Sequence, residues 1–181
     1  MEKRIILLSL LIGLFVLSSC SSAGKGTLVL QITDAPSDLN IQKALITISQ
    51  VQVHKSGDAM GNITTNTTET PTDAGWITIV SEPQTFDLIA IKDVKEFLGS
   101  NQLEPGKYTQ IRLTIEKALV TIDDKEYDLT VPSSKLRLIQ PFTIEAGKNT
   151  TLTLDFDAQQ SIISTGSGKF NLRPTVKVIQ E

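Results

Sequence analysis

The chain reads as an all-β protein: an antiparallel β-sandwich of about eight or nine strands with one short helix. Two observations predict it. Apolar residues recur at every second position in many short runs rich in Thr, Val and Ile, the pattern of a strand with one buried face. Turn-forming residues separate those runs, and only one segment, Ile91–Leu98, has helical spacing. A partly closed β-barrel is the alternative arrangement of the same strands.

The first element is not part of the fold. Lys3 and Arg4 precede an apolar run, Ile5 to Leu17, and Leu17-Ser18-Ser19 leads into Cys20, the single cysteine of 181 residues. A charged start, a short apolar stretch and small residues before the cut are the marks of a removable targeting segment. The run is also shorter than the roughly 20 residues that a membrane-spanning helix needs. A thiol at the expected cut is what a lipoprotein signal requires. Residues 1–19 are therefore expected to be a signal peptide, with acyl chains added to Cys20. Membrane lipid is the partner this implies, and the chain would face outside the cytoplasm on a cell or outer membrane. Each buried CH₂ contributes about 0.8 kcal/mol, so several acyl chains hold durably where one does not. Without Cys20 there is no thiol left for a disulfide, and the fold must rest on its core.

Residues 20–26 form a tether, since Ser21–Gly26 is rich in Gly and Ser and such segments stay coil-like. Residues 27–181 make one domain. In it Leu28, Leu30 and Ile32 alternate with polar partners, as do Ile111, Leu113 and Ile115, then Leu152, Leu154 and Phe156. A further alternating run covers Phe170 to Val178. Two long runs change phase, from Ile46 and Ile48 to Val51 and Val53, and from Ile115 to Ala118 and Val120. A strand keeps its inner face through such a change only by inserting a residue, which predicts bulges near Ser49–Gln50 and Glu116–Lys117. Asp123-Asp124-Lys125 predicts a hairpin turn, and Ala146-Gly147-Lys148-Asn149 predicts a second, joining Phe142–Ile144 to Thr150–Phe156. In Ile91–Leu98, Gly99 supplies the stop signal of the helix. Pro174 demotes the last run to an edge strand or bulge. Residues 55–74 are polar and aperiodic, so they predict a long exposed loop.

Losing Glu2, Lys3 and Arg4 from 20 acidic and 17 basic residues leaves 19 and 15, an evenly scattered, mildly acidic balance. No basic stripe is interleaved with aromatics, which argues against nucleic acid as a partner. His54 is the only histidine, and its place at a strand end fits an exposed side chain better than the base of a triad. Trp76 and Phe86 read as core aromatics. The weak calcium candidates are Asp34, Asp38, Asp155 and Asp157, because calcium takes six to eight oxygens and strand ends can gather carboxylates. The same residues serve equally as turn caps. Asn62, Asn66 and Asn149 stand in Asn-x-Thr sequons at expected loop or turn positions, open to N-glycosylation in a host that performs it.

Four motifs in order carry a resemblance: Gly26-x-Leu-x-Leu-x-Ile-Thr-Asp-Ala-Pro36, Leu103-x-Pro-Gly-x-Tyr-x-x-Ile-Arg-Leu113, Val131-Pro-Ser-Ser134 and Leu154-Asp-Phe-Asp-Ala158. Together they resemble the family called domain of unknown function 4382, found on surface lipoproteins of bacteria and archaea. The likeness runs from Gly26 to the C terminus. Ser134 stands where that family usually has Gly, which bears on the geometry of that turn. The resemblance implies a β-rich extracytoplasmic domain and brings no catalytic residues or cofactor.

Three functions follow as expectations. The first is a non-enzymatic surface module that binds a protein or glycan or serves as a structural element. An edge at Pro174–Ile179 or at the first strand could accept an added strand there. The second is calcium-dependent binding through the four aspartates. The third is a hydrolase built on paired carboxylates.

Overall fold

Two long strands, β2 (Ile41–Lys55) and β6 (Gly106–Ile122), pair antiparallel along nearly their whole length and organise everything else. In this computed structural model, residues 24–34, 41–57, 75–166 and 168–181 are described. The β2–β6 register skips Glu116 on one strand and Ser49 on the other, where the apolar phase changes. Those bulges keep Ile46, Ile48, Val51 and Val53 on one buried face, opposite Ile111, Leu113, Ile115 and Val120. Without them half of each strand would turn its apolar side to water.

The remaining elements are β1 (Gly26–Asp34), β3 (Trp76–Val80), β4 (Gln84–Asp87), β5 (Glu96–Leu103), β7 (Lys125–Thr130), β8 (Lys135–Ile144) and β9 (Asn149–Phe156). After them come the one-turn helix α1 (Ala158–Ser161), β10 (Ile162–Gly166), β11 (Lys169–Leu172) and β12 (Val176–Gln180). A four-stranded sheet, β12-β9-β1-β5, packs on an eight-stranded sheet ordered β10-β11-β7-β6-β2-β3, with β4 also on β2 and β8 also on β6. Between them lies one apolar core in which Leu28, Leu30 and Ile32 face outwards from the small sheet's inner side onto the large one, fully buried. Each such side chain contributes about 1.5–3 kcal/mol relative to exposure. This is an all-β sandwich and not a closed barrel.

The strand and helix arrangement departs from the sequence reading in five places. Twelve strands form among the described residues: Phe170–Val178 splits at Pro174 into β11 in the large sheet and β12 in the small one, and β5 and β10 form where no strand was expected. Pairing is mixed, since β1 runs parallel to β9 and β11 parallel to β7. Phe142–Ile144 and Thr150–Phe156 are not a hairpin: β8 bonds to β6 and β9 to β1, so the turn carries the chain between sheets. That turn is closed by Lys148 N donating to Glu145 O (3.2 Å) and is held to the start of β1, where Gly147 N donates to Lys25 O (3.1 Å) and Thr27 N to Lys148 O (2.9 Å). No helix forms over Ile91–Leu98. Ile91 and Leu98 are buried from a turn and from β5 respectively, while Val94 between them is exposed. The short helix lies at α1. Finally, β12 is an edge as expected, but β1 is an interior strand.

At one corner the sheets meet edge to edge. Asn101 Nδ2 donates to Thr78 O (3.0 Å) and Gln84 Nε2 to Leu98 O (2.9 Å), tying β5 to the β3–β4 edge. Gly99 permits this approach: a Cβ there would stand 2.5 Å from Val80 Cγ2. At Asp123 and Asp124, both with positive φ, the expected two-residue turn joins β6 to β7.

Candidate functional site

Asp34, Asp155 and Asp157 sit at one end of the small sheet. Parallel pairing of β1 with β9 sets Asp34 level with Phe156 and Thr33 level with Asp155. Paired positions share a face, so Asp34 points inward with Phe156 and Asp155 points to the outer face. Asp34 is 2% exposed, and its Oδ1 accepts from Ala158 N (2.9 Å). Asp157 caps α1, accepting from Gln160 N (2.8 Å) and from its side-chain amide (2.6 Å). The Asp155 carboxyl is pushed above the usual aspartate range by burial, opposed by Lys177 and reinforced by Asp157. Asp38 lies outside the described residues. Among those that are described, no three metal-ligating side chains form a group.

Cys20, Asn62 and Asn66 also lie outside the described residues, as do 58–74 of the expected loop. Asn149 opens β9 with an exposed side chain, directly after the Gly147 turn. Phe86 is in the core. Trp76 is not. It is half-buried on the outer face of the large sheet, because Ile77, its neighbour on β3, takes the inward position opposite Val53. The Arg112 guanidinium lies 4.3 Å and that of Arg137 5.7 Å from the Trp76 ring centre. Arg112 reaches Gln52 Oε1 through Nε (2.9 Å) and an Nη (2.6 Å), so it is fixed over the ring. His54 meets the ring edge-on, with centroids 5.2 Å apart. It is a half-buried packing partner rather than an exposed strand end, and its Nδ1 is enclosed without a hydrogen-bond partner among the described residues.

A cleft of about 350 Å³ opens between two proline-bearing loops, lined by Pro132, Ser133, Lys135 and Leu136 on one side and Asn171–Pro174 on the other. The loops are held. β11 pairs with β7 through Asn171 and Thr130, Ser134 O accepts from Ile115 N (2.8 Å), and Arg173 N donates to Ser161 O (2.7 Å). Ser161, fully buried, also accepts Thr175 N on its Oγ (2.9 Å). Ser134 does not have a positive φ, so a side chain is accommodated there without strain.

Sequence reasoning marked Val131–Ser134 as a motif and Pro174 as a strand breaker but did not join them. Nor did it single out Lys135 and Arg173. The available signal was a cation one residue from each of these turns. What was missing was the parallel β7–β11 pairing that brings them together.

A mixed two-sheet β-sandwich with a held cleft on one end defines the class. The match to the family model described as Domain of unknown function (DUF4382) spans residues 25–174, and the chain belongs to that family. The matched span contains both walls of the cleft. No curated protein and no solved structure matches the chain.

Proposed function

We propose that the chain is a lipid-anchored, extracytoplasmic surface module that binds a partner, protein or glycan, and performs no catalysis of its own. Cys20, after its apolar leader, supports the anchor, with the domain starting six residues later at Gly26. Among the described residues no helix is long and apolar enough to cross a membrane, and acyl chains on Cys20 would supply the attachment. The observation that carries binding is the cleft between the Pro132 and Pro174 loops, which are fixed by hydrogen bonds before any ligand arrives. Preorganisation of this kind reduces the entropy lost on association. The aspartates lend calcium no comparable support, since Asp34 and Asp155 face opposite sides of the sheet.

Cell fractionation tests the anchor. The native chain should sediment with membranes, and Cys20→Ala should appear in the soluble extracytoplasmic fraction or remain as an uncut precursor. Equal distribution of the two proteins would refute the anchor.

A further inference from the structure

The cleft offers more than shape. Lys135 and Arg173 stand on its opposite walls, and no carboxylate lines it. Neither side chain takes part in an ion pair or hydrogen bond among the described residues. Three other lysines of this acidic chain are paired, Lys25 with Glu104, Lys95 with Glu181 and Lys148 with Glu145. Leu172, 2% exposed, and the half-buried Leu136 supply an apolar floor. Asn171, half-buried, adds an amide at the edge, and Ser133 Oγ, already donating to Lys135 O (3.0 Å), keeps its acceptor capacity.

We propose that this cleft is a binding site for a small ligand bearing a carboxylate or phosphate, held between the Lys135 ammonium and the Arg173 guanidinium. The proposal rests on the binding reading above and adds the ligand class. A guanidinium presents a planar fork that matches either oxyanion, while an ammonium adds a mobile point charge. The volume is near the low end of the roughly 300–1,000 Å³ typical of ligand sites, so the ligand is one ring or a short chain rather than a long polymer segment. The leucine floor suits the apolar face of such a ring, and Asn171 can bond its hydroxyl or amide groups.

Calorimetry on the detergent-solubilised full chain tests this, with glucuronate and inorganic phosphate as probes and glucose as the uncharged control. At least one anion should bind saturably, glucose should not, and Lys135→Gln and Arg173→Gln should each weaken binding at least about tenfold, one charge-assisted contact being worth roughly 1.5–3 kcal/mol. Which anion binds distinguishes an acidic sugar or peptide carboxylate from a phosphate source. Lys135→Arg should retain binding, which separates loss of charge from loss of fold. Absence of saturable binding by both anions, or binding unchanged in the Lys135→Gln/Arg173→Gln double variant, overturns the proposal. Either failure would leave the anchor at Cys20 untouched, since that is read from fractionation.

Discussion

The Arg112 guanidinium lies over the ring of Trp76, 4.3 Å from its centre, on the outer face of the eight-stranded sheet. Gln52 fixes the guanidinium from the intervening strand, so β6, β2 and β3 are linked by side chains as well as by their backbone ladder. A cation over an indole contributes about 0.5–2 kcal/mol, more as water is excluded. Arg112 is 8% exposed, which places the pair toward the upper end.

A double-mutant cycle of Trp76→Leu and Arg112→Ala should therefore give a coupling energy of about 1.5–2 kcal/mol in denaturant unfolding. Arg112→Ala alone should also move the fluorescence of the single tryptophan. Additive losses within about 0.3 kcal/mol would mean the stacking contributes nothing.

Gly99 controls how closely the sheets approach at the β3–β5 corner. Gly99→Ala should lower stability by about 1–3 kcal/mol, the usual cost of overpacking, because Val80 must move aside. Val80→Ala should recover part of that loss by removing the obstructing methyl. No recovery in the double variant would place the strain elsewhere.

Asp34→Ala should cost about 1–3 kcal/mol, since it leaves the buried amide of Ala158 without its acceptor. Amide exchange in Ala158–Ser161 should speed up more than in β2 or β6. Uniform acceleration would show that Asp34 acts on the whole fold and not on the α1 start.

Asp155 gives a pH signature of defined sign. Its folded pKa is raised, chiefly by burial, so just above the ordinary aspartate value of 3.8 the folded state holds more proton than the unfolded one. Stability from this group is present at lower pH and declines as pH rises through the raised pKa. Asp155→Asn should remove that decline and leave the chain no less stable at pH 7. A lower melting temperature at pH 7 in the variant would show that the Lys177 attraction outweighs the burial.

Much of the fold was legible because alternation reports burial directly. The bulges at Ser49 and Glu116 were readable from phase changes alone, since a strand crossing one core has no other way to keep its face. Partners were not legible. Nothing local distinguishes a turn that closes a hairpin from one that crosses between sheets, so the Gly147 turn was misread. Ile91 and Leu98 imitate helical spacing because two different elements bury them. Its place at the start of an apolar strand predicts Trp76 in the core, and Arg112, 36 positions away in sequence, covers it instead on the outer face. The cleft required the β7–β11 pairing before its two cations could be seen as neighbours.

Mass spectrometry of the N-terminal peptide from the membrane-extracted protein tests the surface-module account most directly. The account predicts a peptide that starts at Cys20 and carries fatty-acyl mass on that residue. A peptide that continues through residues 1–19, with an unmodified Cys20, would contradict it.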